Sequence, residues 1–283
     1  MRQLIDDLKI SVFVAPHTKV AYVPVTKAGS SSLLRVLAQA EGHDVTQYLT
    51  APESVHDRRT YPLPLLGSLD PALQAEILTS PEWLRLTVAR DPFKRLYSTW
   101  EDKILIGREG WEAFAPPPLV MHRGGIDIGA SFRRFVADLG ERPALWMSDP
   151  HFARQVTLAH PEVIPYSDTV STTELNALIA HLADRSGRAL TSLRANEGLG
   201  LDSERFVDDE AAATIIELYR DDFAYAEVEP RRPNRRLKRV VIDPVGTRLH
   251  ELLSERFRVH AALVWDLRIQ GGEAAPGSPM GLG

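Results

Sequence analysis

The sequence predicts an α/β fold, with a central parallel sheet between helices in a three-layer α/β/α arrangement. Two strand–turn–helix units carry that expectation. From Val20 to Leu37 a short apolar run passes through a loop of small residues into a helical pattern, and from Leu84 to Ser98 a second apolar run turns directly into a helix. Both runs are apolar almost throughout, as strands buried on both faces are. The third observation is bulk: 283 residues, 44% hydrophobic and 25% charged, supply a sizeable core.

The elements follow in chain order. Ile10 to Ala15 is apolar, and Pro16-His17-Thr18-Lys19 separates it from Val20, so the two runs predict a hairpin leading into the central strand Val20–Val25. Leu33, Leu34, Val36, Leu37 and Ala40 repeat at helical spacing, with Ser30 or Ser31 placed to cap the helix. Glu41 to Pro64 is polar and aperiodic, and reads as a surface crossing near the site; it holds Glu53, His56 and Asp57. A helix from about Asp70 to Leu78 has Pro71 just inside its start. Leu84–Ala89 is the second buried strand, after which Asp91 can cap a helix opening on Pro92. A second long loop, Pro116-Pro117-Pro118 through Gly124-Gly125, contains His122 and Arg123 and suits covering an acceptor.

Beyond Glu229 the composition changes. Arg231 to Arg239 packs six basic residues into nine, followed by a strand-like Val240–Ile242, an amphipathic helix from about Pro244 to Phe257 and an apolar Ala261–Ile269. The tail from Gly271 is Gly/Pro/Ala-rich and reads as disordered. The expected organisation is a main domain over 1–230, a basic and helical extension over 231–270, and a tail over 271–283. The basic run has three readings: a contact for a phosphate, a contact for an anionic acceptor, or a solvated face. The apolar C-terminal segment could pack against a second subunit as a homodimer.

Charge and composition exclude several classes. A formal net charge of −5 and a pI near 6.0 argue against a general nucleic-acid binder. With no cysteine there are no disulfides, thiolate metal sites or cysteine nucleophiles. Met1 to Lys9 carries Asp6 and Asp7 and lacks an apolar signal core, and no run approaches the roughly 18 apolar residues of a membrane span. The expectation is a cytoplasmic protein with no membrane partner.

The chemistry lies at the two turns. Lys27-Ala28-Gly29-Ser30-Ser31-Ser32 is made of small residues whose backbone N–H groups can converge at a helix start, with Lys27 adding a full charge. It is not a Walker A loop, in which Lys directly precedes the Mg²⁺-binding hydroxyl; here Lys stands first and Gly follows. An ordinary strand-to-helix turn with a solvated lysine is the plain alternative. Arg90 ends its strand where open parallel sheets bind ligands, and Ser98 lies two turns into the following helix. A guanidinium and a hydroxyl so placed suit one phosphate monoester. Arg90 paired to a carboxylate, with Ser98 a spectator, is the alternative there.

Together the two turns are more specific. Lys-x-Gly-Ser-Ser followed about 60 residues later by Arg-Asp-Pro-Phe-x-Arg-Leu-x-Ser resembles the sulfotransferases that use 3′-phosphoadenosine-5′-phosphosulfate (PAPS), and most closely the Golgi carbohydrate sulfotransferases of family 2. The resemblance continues in Trp100-Glu101-Asp102-Lys103, Ser131-Phe132-Arg133-Arg134-Phe135-Val136, Asp149-Pro150-His151-Phe152-Ala153-Arg154-Gln155, Val163-Ile164-Pro165-Tyr166 as the strand after it, and the helix Ala211–Ala226 ending Tyr219-Arg220-Asp221-Asp222-Phe223. It covers about residues 10–226. Unlike the Golgi members, this chain shows neither a membrane anchor nor cysteines, and it resembles a soluble, bacterial-type relative.

The resemblance implies a nucleotide-kinase-like P-loop architecture, PAPS as donor, 3′,5′-adenosine diphosphate as product and no required metal. Lys27 and the N–H groups of Ala28, Gly29, Ser30, Ser31 and Ser32 would hold the 5′-phosphosulfate, and Arg90 and Ser98 the 3′-phosphate. The acceptor would be a hydroxyl, or an amine, of a small molecule or glycan, and it must lose a proton. His56, His122 and His151 are the candidate bases, with His56 preferred and Glu53 or Asp57 as substitutes. Two rivals stand beside this reading: a nucleotide-dependent kinase, which needs ATP and Mg²⁺, and a non-catalytic nucleotide-binding protein.

Overall fold

The computed structural model describes residues 11–46, 60–106, 111–191 and 198–243. The candidates Glu53, His56 and Asp57 lie outside the described residues, as do the expected helix Pro244–Phe257, the apolar Ala261–Ile269 and the tail.

The chain opens on β1 (Phe13–Ala15) and β2 (Val20–Val23), then α1 (Ser30–Ala40). α2 (Pro71–Thr79), β3 (Leu84–Ala89) and α3 (Pro92–Trp100) follow, the last continuing into a π-helical turn over Glu101–Leu105. Next come β4 (Met121–His122), β5 (Gly125–Asp127), α4 (Ile128–Glu141), α5 (Pro143–Trp146) and α6 (Gln155–Ala159). The described chain ends through β6 (Asp168–Ser171), α7 (Leu175–Ser186), α8 (Asp209–Leu218), α9 (Arg220–Tyr225) and β7 (Val241–Ile242).

The central sheet runs β1-β2-β3-β6. β2, β3 and β6 are parallel, with Val20 opposite Leu84 and Leu86 opposite Asp168, while β1 is antiparallel to β2 across the expected hairpin. The sheet is therefore mixed at its edge. Alternate residues of one strand enter different cores, as the two-residue period requires. Val20, Tyr22, Leu86 and Val88 pack with Leu33, Leu37, Leu178 and Leu182 of α1 and α7. Ala21 and Val23 pack on the opposite face with Ile77 and Trp83. A third core joins Phe93, Tyr97 and Trp100 of α3 to Phe132 and Phe135 of α4 and Ile215 of α8.

Three boundaries depart from the sequence reading, and the first is β2, which ends at Val23 rather than Val25. The strand expected at Val163–Tyr166 is a turn, and the strand beside β3 is Asp168–Ser171 instead. Pro165 cannot donate to a ladder, so pairing begins only beyond it. The helix expected over Ala211–Ala226 breaks at Tyr219 into α8 and α9, because Tyr219 leaves the helical region (φ −114°, ψ 26°). The basic run is joined to the body. Arg232 reaches Asp209 at 2.6 Å, Arg235 reaches Glu204 at 3.3 Å and Arg239 reaches Asp127 at 3.2 Å, and β7 then pairs antiparallel with β5.

Candidate active site

The β2–α1 loop is built on two left-handed residues, Lys27 (φ 62°) and Gly29 (φ 78°). A residue with a side chain pays for that conformation, so Lys27 is held there by its surroundings. Gly29 has a second reason: a Cβ would lie 2.9 Å from Leu175 Cδ1. Gly29, not Ser30 or Ser31, is the N-cap of α1, and no side chain caps this helix. Both serines already lie inside the helix. The Ala28 N–H closes a turn onto the Val25 carbonyl at 3.2 Å, so its donor is committed away from an anion. The N–H groups from Gly29 to Ser32 belong to the helix start, which has no intrahelical acceptors for them and carries the positive end of the dipole.

The second turn forms as expected. Asp91 accepts from the N–H groups of Phe93 (2.8 Å) and Lys94 (3.2 Å), with Pro92 in the first helical position. Arg90 Nη1 donates to the Lys27 carbonyl at 2.8 Å, so the two turns meet at one point. The Gln155 side chain clamps the Arg90 backbone from both sides, accepting from its N–H at 2.9 Å and donating to its carbonyl at 2.8 Å. Burial draws the Arg90 guanidinium below its usual value and Arg95 adds to this, against the opposing pull of Asp91 and Glu101. Ser98 is half-buried, and its hydroxyl makes no hydrogen bond among the described residues.

Arg95 is the fastener beneath the loop. Buried, it donates to the Thr26 carbonyl (2.9 Å) and hydroxyl (3.1 Å), to the Ala153 carbonyl (2.8 Å) and to the Pro150 carbonyl (3.3 Å). Asp222 grips the same segment by accepting from the N–H groups of Gln155 (2.8 Å) and Val156 (3.1 Å). The Tyr219 hydroxyl donates to the Phe152 carbonyl at 2.7 Å. The segment around His151 is thus held against Thr26, immediately before Lys27.

The π-helical turn brings charge into the same centre. Its defining bond runs from the Ile106 N–H to the Glu101 carbonyl at 2.9 Å, and such turns recur at functional sites. Glu101, Asp102 and Lys103 are each only 6% exposed. Asp102 Oδ2 is shared by Lys27 Nζ at 3.3 Å and Lys103 Nζ at 3.4 Å. Glu101 accepts from the Leu199 N–H at 3.2 Å and the Tyr97 hydroxyl at 3.4 Å. Burial raises its carboxyl above the usual range, against the opposing pull of these donors and of Lys27.

Of the candidate histidines, the structure brings His151 to this centre. Asp149 Oδ1 accepts from the His151 backbone N–H at 2.7 Å and stands 2.8 Å from its Nδ1. A carboxylate only accepts, so Nδ1 carries the proton and Nε2 keeps its lone pair. Burial lowers the His151 imidazole below its ordinary value; Lys103 and Lys27 lower it further, while Asp149 opposes them. Burial alone would raise Asp149, but its hydrogen bonds from His151 outweigh that and hold it low. The Trp111 ring meets His151 edge-on at 6.1 Å. His122 sits in the β4–β5 hairpin and makes no hydrogen bond or ion pair to this centre among the described residues.

Glu101, Asp102, Lys103, Arg95 and Gln155 were not singled out by sequence as site residues, although each stands inside a quoted motif. The available signal was three adjacent charged residues continuing an otherwise half-apolar helix. Nothing in their spacing pointed inward.

Among the described residues no helix is long and apolar enough to cross a membrane. No solved structure matches this chain. The chain is 26% identical over 155 residues to carbohydrate sulfotransferase 10 of Danio rerio, an overlap of 51% of this chain and 42% of that protein. It therefore spans less than half the length of that relative. The profile of the sulfotransferase family matches residues 11–225, which hold both strand–turn–helix units, the π-helical turn and His151, and the chain belongs to that family.

Proposed function

We propose that this protein transfers a sulfuryl group from PAPS to a hydroxyl, or an amine, of a glycan or small molecule. One observation carries the reading: the Arg90 guanidinium bonds the Lys27 carbonyl at 2.8 Å, which joins two anion-binding turns into one nucleotide cradle. The residues fit such a donor. Lys27 and the N–H groups of Gly29 to Ser32 face the 5′-phosphosulfate, and Arg90 with the Ser98 hydroxyl takes the 3′-phosphate. The relative's name, which specifies carbohydrate, supports a glycan acceptor.

Bound there, the donor supplies the sulfuryl group, whose S–O bond to phosphate breaks as a bond to the acceptor atom forms. Lys27 and the start of α1 stabilise the charge left on the phosphate oxygen as preorganised donors. His151 Nε2 takes the acceptor proton, its ring oriented by Asp149 and kept neutral near pH 7 by burial beside two lysines. His56, the base preferred from the sequence, lies outside the described residues.

Calorimetry with 3′,5′-adenosine diphosphate, set against ADP with and without Mg²⁺, tests the donor site. The expected result is a metal-independent preference for the 3′-phosphorylated nucleotide. Charge-assisted hydrogen bonds of this kind are worth roughly 1.5–3 kcal/mol, so Arg90→Ala should weaken it about tenfold to a hundredfold, and Lys27→Ala should weaken both nucleotides. Equal or tighter binding of Mg²⁺–ADP would overturn the assignment in favour of a kinase.

A further inference from the structure

Lys103 is buried where a lysine is costly. Its side chain is 7% exposed, its ammonium shares one carboxylate oxygen with Lys27, and it stands 5.8 Å from the centroid of the Trp111 ring. Lys103 lies inside the π-helical turn over Glu101–Leu105, which closes on an i→i+5 bond, one residue wider than the α-helical i→i+4 bond. Buried ammonium groups are retained when they are paired, and here one Asp102 oxygen serves two of them. We propose that Lys103 is a positioning residue of the sulfuryl-transfer centre, acting through Asp102 on Lys27 and through space on His151.

Two consequences follow from the geometry. Without Lys103 the pull of Asp102 Oδ2 on Lys27 is no longer divided with a second ammonium, and it competes more strongly with the donor's phosphate for Lys27. Among the described residues the charged groups that act on His151 are Asp149, Lys103 and Lys27. Removing Lys103 takes away one of the two cations that oppose protonation of the ring, so His151 binds its proton at higher pH. The inference rests on the donor-site reading for its role, but its readout does not need an acceptor.

The test is proton NMR titration of His151, assigned by its absence in His151→Asn, with 3′,5′-adenosine diphosphate bound and in its absence. Lys103→Met should move the His151 titration to higher pH by about half a unit or more and weaken the nucleotide several-fold. Lys103→Arg keeps the charge and should restore the titration. An unmoved titration in folded Lys103→Met, or the same shift in Lys103→Arg as in Lys103→Met, overturns the proposal. If Lys103→Met does not fold, Lys103→Gln and Lys103→Arg form the same comparison. Failure of the wild-type protein to bind 3′,5′-adenosine diphosphate would instead sink the donor-site reading, and the titration in the free protein would still decide the link between Lys103 and His151.

Discussion

His151 is a side chain whose charge state the fold sets in advance. Its imidazole is lowered by burial, with Lys103 and Lys27 acting in the same direction, so folding favours the neutral ring. The sign of the stability effect follows. A histidine with a depressed folded value contributes stability above its unfolded value, about pH 6.5, and loses it as the pH falls through the folded value. Acidification from pH 7.5 to 5 should therefore lower the Tm of the wild type more than that of His151→Asn, as scanning calorimetry at each pH will show. A steeper fall in the variant would mean that the ring is charged in the native state. The Nδ1 contact with Asp149 adds a second expectation at this scale: Asp149→Asn keeps an Oδ1 acceptor for the His151 backbone N–H and Nδ1–H but loses the negative charge that favours protonation of the ring, so an effect on turnover should exceed the effect on fold.

Elements are joined at this site by buried polar fasteners. Arg95 links α3 to Thr26 before the donor loop and to the Pro150–Ala153 segment, through four hydrogen bonds from one guanidinium. Its removal strands carbonyl acceptors in the interior. Arg95→Met should cost about 3 kcal/mol or more in urea unfolding, and it should weaken 3′,5′-adenosine diphosphate because Thr26 directly precedes Lys27. Gly198 is a second fastener of a different kind. A Cβ there would lie 1.8 Å from Glu101 Oε2, so Gly198→Ala must displace either the 198–201 segment or the Glu101 carboxylate. A loss of ~1–3 kcal/mol is expected by the same denaturant measurement. A neutral result would show that the segment can retreat without strain.

Across the whole molecule, the proposed donor site sits at the carboxyl ends of the parallel strands β2 and β3, while α3 and its π-helical turn reach into the third core. Binding at that junction ties the sheet to the helical layer. Saturating 3′,5′-adenosine diphosphate at one hundred times its dissociation constant should stabilise the native state by about 2.7 kcal/mol, read as a rise in Tm that Mg²⁺ leaves unchanged. The ion pairs of the basic run act on a smaller scale. Arg235 and Arg239 are 56% and 64% exposed, and such pairs are each worth under ~1 kcal/mol and weaken with salt. Their place in the molecule is to lay residues 231–240 along the body before β7 pairs with β5.

The strand–turn–helix units were legible because their information is local. Leu84–Ala89, the Asp91 cap, and Pro71 and Pro92 at their helix starts depend on residues within one turn of each other and appear where the sequence puts them, while the strand read as Val20–Val25 ends at Val23. The donor-loop helix start was read one residue late, because a left-handed glycine cap leaves no side-chain signature to distinguish it from a serine cap. The split at Tyr219 and the strand at Asp168 depend on pairing with distant elements, which no local pattern encodes.

By itself the sequence determined the two strand–turn–helix units, their order and the family to which the chain belongs, since these rest on residue types at fixed spacing. Tertiary structure alone decided that Arg90 meets Lys27, that His151 rather than His122 stands near Lys27 and Lys103 among the described residues, and that Asp102 is shared between two lysines. Each of those depends on the approach of segments tens of residues apart, and on burial, which sets the charge of a side chain by what surrounds it rather than by its neighbours in the chain.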